Sequence, residues 1–563
     1  MTFASAKLRS FLPAATFAMG SEFLMGVSGL VVAGNILGES ALASMNLMLP
    51  VLNVVEFLTA MVATGASVMF ATAIGGFQER RAHEVFTQGL FTAVGLGVVL
   101  MLVLAGVLGP FLRAFGASES VTRGALVYGT WFLPCVILTP VACYLVTLAY
   151  TDGDRRVYVG SYVAQLVGNF LLAVPLTMKF GLAGCAMAMS LGNLFAIGVA
   201  LSHFWRTGNN LHFVRCFSLK DAWRICWCAV GDASHKLCNA ILFALLNAYV
   251  VCSFGSEALA VLAVVLTVFA ATEVFDGVGL AMQPLVGVYF GEGNDRRTLD
   301  VMNESLQVAL GEGLLMYFVL QELPGLVIRF VGIADPALVP AAKTAVRLVA
   351  LGIVGHALMM LFNSYYTFIE REKLAATITV MTMLLVPVPL IPLMGHFLGV
   401  NGVWLALGLA PLLAVLFFGL GLVLKYGRAR FPSLLDVTRS ANIHVFDLVL
   451  EPEAICAASA AVADRLKACG REAQAGKAAL LVEEALMIVR DRNAERKIRA
   501  EVTADLNDGL SLVLRDDGEI FDITDADAEV MSLRSYLVSN LMTAIPNRRN
   551  LTTTGFNRNV FRL

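Results

Sequence analysis

One frame of residues occurs twice in this 563-residue chain. Glu56 and Glu273, Gly76 and Gly293, and Arg80 and Arg297 are each 217 residues apart (273 − 56). Further on, Gly181 and Gly184 in FGLAGCAMA match Gly399 and Gly402 in LGVNGVWLA at a separation of 218 (399 − 181). Two homologous halves of about 215 residues follow, and a repeat of that period restricts the fold more than any single motif does. The strongest copy of the frame is ATEVFDGVGLAMQPLVGVYFGEGNDRR, from Ala271 to Arg297. It reads as an apolar helix carrying two acids, then a proline, then a glycine-bracketed turn with paired arginines.

Each half is too apolar for water. The chain is 58% hydrophobic with a mean hydropathy of +0.76, whereas soluble domains hold about 45–50% apolar residues. Twelve spans of about 20 residues or more can be placed, at roughly 11–36, 44–75, 86–110, 123–149, 158–180, 182–204, 224–252, 257–290, 301–330, 341–369, 374–398 and 401–425. The apolar run after Lys7 and Arg9 continues past Glu22 without a small-residue cleavage site and is read as a retained first span. Basic residues gather on alternate connections, among them Arg80 with Arg81, Arg155 with Arg156, Arg296 with Arg297, and Arg371 with Lys373. By the positive-inside rule both ends of the membrane part are expected in the cytoplasm of a multi-pass cell-membrane protein.

Six spans per half is an even number, so the halves should relate by a two-fold along the membrane normal and face each other across a central cavity. The expected fold is an all-α polytopic membrane protein of two six-helix bundles, with lobes at 1–213 and 214–430, plus a cytoplasmic α+β domain at 440–563. The polar stretch 206–221 links the lobes. Prolines within spans, Pro50, Pro134, Pro140, Pro284 and the cluster Pro387, Pro389 and Pro392, mark bends. The ten cysteines show no zinc or disulfide spacing, and a formal net charge of −2 carries no nucleic-acid signature.

Ionisable groups at membrane depth are functional candidates, because each costs a few kcal/mol or more to place there. Glu56 and Glu273 come first, since one repeat position can face a shared cavity from both sides. Glu22 aligns with Asn239 (239 − 22 = 217), an acid in one half and an amide in the other, which suits a single coupling-ion site. Asp276, Gln283 and Asn363 complete the transport candidates. Asp232 and Lys236 stand at i and i+4, and the expectation is a neutralised pair on one helix face. Acids outnumber the lone lysine, so the cavity should attract cations, whether protons, sodium ions or amphipathic drugs. No metal-ligand spacing is present.

The segments VVAGNILGESALASMNLMLP, GLAMQPLVGVYFGEGNDRR, YTDGDRR and YTFIEREK, in this order and with this repeat, resemble the multidrug and toxic compound extrusion (MATE) family over about 1–430. The resemblance implies a two-lobed antiporter, not an enzyme, exporting cationic lipophilic compounds in exchange for sodium ions or protons, with no required cofactor. Many members carry an aspartate in helix one where this chain has Ser28 and Gly29, so Glu22 or Glu56 would have to serve instead. The alternatives are a flippase for a lipid-linked precursor, which would want an arginine-rich cavity, and a membrane sensor with a kinase-like tail.

After Pro432 the chain turns polar. Strands are expected at 442–450, 509–522 and 557–563, and helices at 452–469 and 473–491. LLVEEALMIV, RDDGEIFDITD and GFNRNVFRL together are similar to the GHKL ATPase fold in its anti-sigma-factor-like serine kinase branch. The resemblance places Glu484 on the long helix and Asp516 or Asp517 with Gly518 at the adenine turn. The magnesium asparagine is missing, because the position four residues after Glu483 is Met487 and after Glu484 is Ile488. SLRSYLVSN at 532–540 replaces the glycine-rich lid, so a phosphate would lose its backbone donors. The expectation is a degenerate regulatory domain for a cytoplasmic partner protein, with ATP binding doubtful.

Overall fold

The computed structural model describes residues 2–114, 118–206, 208–331, 338–435, 439–507, 509–519, 548–553 and 556–563. The first half comprises α1 (Phe3–Leu37), α2 (Glu39–Asn46), α3 (Leu49–Gly75), α4 (Glu79–Ala114), α5 (Glu119–Thr151), α6 (Arg155–Phe180) and α7 (Leu182–Leu201). An extended link leads to the short helix α8 (Leu219–Cys228). The second half holds α9 (Val230–Ala271), α10 (Asp276–Gly291), α11 (Asp295–Glu322), α12 (Pro324–Val331), α13 (Val339–Ala350), α14 (Ile353–Phe368), α15 (Glu372–Val380), α16 (Pro387–Leu398) and α17 (Val400–Tyr426).

Among the described residues ten helical segments are long and apolar enough to cross a membrane, and two more candidate spans are bent pairs, α11 with α12 at 80° and α13 with α14 at 44°. Counting each bent pair as one span gives twelve candidates, the number expected from the sequence. Pro324 cannot continue the hydrogen-bond ladder of α11, and Leu351 and Gly352 interrupt the other pair. α9 contains a further break at Gly255, whose φ of 80° lies in the left-handed region. Between α15 and α16 one wide turn, in which the Val386 amide donates to the Met381 carbonyl, absorbs the cluster that begins at Pro387.

The repeat is visible as matching geometry. Gly181 and Gly399 both take φ 62° where α6 meets α7 and α16 meets α17. Three residues on, a Cβ on Gly184 would lie 2.0 Å from the Leu176 carbonyl oxygen, and one on Gly402 would lie 2.0 Å from that of Met394. Both tight turns need glycine for the same contact. The lobes meet along α3 and α10, where side chains nearly vanish. A Cβ on Gly75 would fall 2.3 Å from the Val288 oxygen, and one on Gly291 would fall 2.3 Å from the Thr72 oxygen. Small residues at such a crossing let two helix backbones touch, as in other membrane interfaces.

The tail is a five-stranded antiparallel sheet backed by two helices, α18 (Pro452–Ala468) and α19 (Glu472–Arg492). Its strands are β1 (Ile443–Val449), β2 (Arg499–Asp505), β3 (Ser511–Asp516), β4 (Arg548–Thr553) and β5 (Phe556–Arg562), in the order β1-β2-β3-β5-β4. Sequence reading anticipated β1, β3, β5 and both helices but neither β2 nor β4. The lid candidate SLRSYLVSN lies outside the described residues. One face of the sheet covers the helices with Val502, Leu512 and Leu514, and the other turns charged residues toward the membrane lobes.

At the end of β3 the buried carboxyl of Asp516 accepts hydrogen bonds on Oδ1 from the Asn557 amide (2.8 Å) and the Gly518 backbone (3.0 Å). Burial outweighs both and pushes its pKa up to about 6. An acid whose folded value exceeds its free value of about 3.9 favours the fold in its protonated form. That contribution is complete below about pH 4 and is lost as the pH rises through about 6.

Two predictions follow from these contacts. Gly184→Ala and Gly402→Ala should each destabilise the membrane part by about 2 kcal/mol or more, read as a lower Tm in detergent. Corrected amide exchange of β3 and β5 should be slower at pH 5 than at pH 7.5, and Asp516→Asn, which keeps the Oδ1 acceptor, should flatten that dependence.

Candidate functional site

A cavity of about 490 Å³ lies between the lobes. Five carboxylates line it: Glu22 from α1, Glu56 from α3, Asp232 from α9, Glu273 from the turn Thr272–Phe275, and Asp276 at the start of α10. Glu56 is exposed and the other four are partly exposed, so these acids meet cavity space rather than packed side chains. Lys236 is the one lysine or arginine among the described lining residues. Carboxylates from both lobes thus converge on a single ammonium.

The lysine's partner differs from the one its helix spacing suggested. Lys236 Nζ sits 2.9 Å from Glu273 Oε1, both partly accessible, while Asp232 turns elsewhere. Asp232 accepts from Thr64 Oγ1 of the opposite lobe at 3.1 Å and from the Asn363 amide of α14 at 3.3 Å. An i, i+4 register names neighbours on one helix, and here groups across the cavity win over them. Glu22 accepts from the Tyr162 hydroxyl at 2.8 Å, and behind that pair Tyr162 meets Tyr158 edge-on and Tyr158 meets Tyr150 at a tilt, with ring centroids 5.1 and 4.2 Å apart.

Gln283 lines the same cavity and donates through its amide to Ser67 of α3, joining the lobes near the α3–α10 seam. Asn363 also lines it, and its Oδ1, like Oε1 of Gln283, is buried with no hydrogen-bond partner among the described residues. Asn239 lies three residues beyond Lys236 on α9 and is not among the lining residues. Of the transport candidates, Glu22, Glu56, Glu273, Asp276, Gln283 and Asn363 therefore meet in one place.

Sequence reasoning counted Lys236 in the cavity's charge balance but paired it with Asp232, and it missed Tyr162, Thr64 and Gln165. Gln165 donates to Asn193 at 2.8 Å, and the Asn193 amide donates to Thr139 at 3.0 Å, forming a polar strip along the first lobe. The signal available was weak: Tyr158, Tyr162, Gln165 and Asn169 recur every three or four residues along α6.

In the tail, Asp516, Asp517 and Gly518 form one turn after β3, and Glu484 sits on α19. Asp516 is turned inward as described, while Asp517 accepts from the Arg499 backbone at 2.8 Å and lies 3.7 Å from Lys7 of α1. No group of three or more metal-ligating side chains occurs among the described residues.

A family model described as MatE matches residues 14–178 and 235–393, one segment in each half. Among curated proteins, the uncharacterized transporter YisQ of Bacillus subtilis (strain 168) is 24% identical over 170 residues, 28% of this chain. That match spans only 36% of the relative's length. Among solved structures, the outward-facing conformation of a multidrug resistance MATE family transporter of the MOP superfamily superposes with a TM-score of 0.71 at 18% identity, covering 77% of this chain and 96% of that one. A MOP superfamily transporter from Pyrococcus furiosus, described as having a binding pocket of reverse polarity, gives 0.71 at 17% identity with 77% and 97% covered.

The electrostatics of the cavity make a prediction. Lys236→Gln removes the one lysine or arginine among the described lining residues, so the purified protein should bind a lipophilic monovalent cation such as tetraphenylphosphonium about tenfold more tightly. Calorimetry reads the change, and unaltered affinity would show that the ammonium lies outside the field felt by a bound cation.

Proposed function

The chain belongs to the MatE family, and from that membership we propose that it is a secondary antiporter exporting cationic, lipophilic compounds in exchange for sodium ions or protons. The observation that carries this reading is the convergence of carboxylates from both lobes on one lysine inside a shared cavity. Such a space concentrates cations and repels anions. It favours drug-like cations over an anionic lipid-linked precursor, which would require the opposite polarity.

The geometry supplies an exchange device. A cation entering the cavity competes with the Lys236 ammonium for Glu273, and carboxylates left without a partner at this depth are costly. Loading by substrate and loading by the coupling ion therefore exclude each other electrostatically. Asp232, held between Thr64 of one lobe and Asn363 of the other, is the acid best placed to report ion binding across the interface. The α3–α10 seam closes the cavity on the side that bears the tail, and rocking of the lobes would open it there in turn. In this reading the protein lies in the plasma membrane with both termini cytoplasmic.

The C-terminal domain serves regulation rather than fuel. The adenine-turn carboxyl of Asp516 already satisfies Asn557 and Gly518, which supports a domain that docks, to its own lobes or to a cytoplasmic partner protein, in place of one that hydrolyses ATP.

Proteoliposomes loaded with a fluorescent lipophilic cation provide the test. An imposed sodium or proton gradient should drive dye export, whereas ATP alone should not. Glu56→Gln and Glu273→Gln should each slow export roughly tenfold at unchanged protein level, equivalent to losing about 1.4 kcal/mol. Export at the wild-type rate by both variants would remove these acids from the mechanism.

A further inference from the structure

The tail is bolted across the seam between the lobes. Arg558 of β5 is fully buried; its Nη1 donates to Glu292 Oε1, just past α10, at 2.7 Å, and its Nη2 donates to the Ile74 carbonyl at the end of α3, also at 2.7 Å. One guanidinium therefore holds the first lobe and the second at once. Glu292 is held as well by Arg515 of β3, which pairs with Glu501 of β2 at 2.5 Å and lies over the Tyr289 ring at 4.9 Å. Arg297 of α11 closes the network, 2.7 Å from Glu501 and 2.5 Å from Asp447. On the first-lobe side Asp447 also accepts the Phe3 amide at 2.8 Å, and the Phe3 ring meets Phe556 edge-on at 5.7 Å.

Comparison of the two halves shows that this contact is built. Where α3 turns into α4, Phe77 takes φ 58°; where α10 turns into α11, the residue at the same place in the turn is Gly293 at φ 75°, so the structure aligns these turns one residue off the spacing of 217 that paired Gly293 with Gly76. Phenylalanine disfavours that backbone region, yet its ring lies under Arg558, with the guanidinium carbon 4.1 Å from the ring centroid. Arg558 touches both halves, and the first-half turn beneath its guanidinium keeps a strained aromatic where the second-half turn has glycine.

We propose that the C-terminal domain is a state-selective latch, holding the tail-side seam shut and releasing one lobe before that side can open. This rests on the alternating-access reading given above. If the ends of α3 and α10 part, Arg558 can follow only one of them. The other partner, or the guanidinium itself, then loses a buried charge-assisted contact, which is strongly unfavourable. Closed seam and docked tail thus stabilise each other, and any ligand or protein that draws the sheet away shifts the lobes toward the tail-side-open form.

Electron–electron distance measurement in nanodiscs tests the latch in the full chain. Spin labels replace Arg156 at the start of α6 and Lys373 at the start of α15, in a background where the exposed Cys252, Cys456 and Cys469 are serine. The parent should give mainly a short distance. Arg558→Ala, Glu292→Gln and Phe77→Gly should each raise the long-distance fraction about tenfold. The last two leave the tail's own sequence intact, and amide exchange of β1 to β3 confirms that it stays folded. Parental distances in all three variants would overturn the latch, even where dye export proceeds. Responsive distances without dye export would instead sink the transport reading and leave the latch standing.

Discussion

Close contact between two helices is the constraint on which everything else in this molecule depends. Gly75, Thr72, Val288 and Gly291 bring α3 and α10 together with almost no side chain between them. On one side of that crossing the lobes diverge to leave the acidic cavity, and on the other their ends present Ile74, Phe77, Tyr289 and Glu292 to the sheet. Neither surface exists without the seam. Its energy comes from backbone-to-backbone packing, which is the form of association open to helices whose surroundings are as apolar as they are.

Much of this was legible in the residue order. A repeat of 217 residues required two equivalent lobes, and symmetry placed Glu56 and Glu273 on opposite walls of whatever lay between them. The matched glycines at 184 and 402 foretold two copies of one turn, and both are present. What stayed hidden was contact between elements far apart in sequence. The spacing of Asp232 and Lys236 suggested a pair, but Thr64 and Glu273, on other elements, claimed them. Likewise β2 escaped notice although RAEVTAD alternates, because two of its three apolar positions are alanines that carry little strand signal, and Glu501 and Thr503 point into a buried charge network rather than into water.

Buried arginines in the tail extend the same lesson. Arg515 and Arg558 sit in the short strands β3 and β5, where a sequence reader assigns charge to solvent, and both are fully enclosed. Their partners Glu292 and Glu501 lie more than two hundred residues apart, on a transmembrane helix end and a tail strand. Such pairs contribute little net stability compared with apolar packing, but breaking one is expensive, so they fix which surfaces meet more than how tightly. Orientation of the tail on the lobes is the property they specify.

Lys236 has a further consequence for a carrier that works against a voltage. With its ammonium fixed beside Glu273, the charge of one of the cavity's five carboxylates is offset. Each elementary charge moved through the full field is worth about 2.3 kcal/mol per 100 mV. A tethered counter-ion cancels one of the cavity's negative charges, so in the exchange reading proposed above the membrane voltage would act on one fewer of them on either stroke.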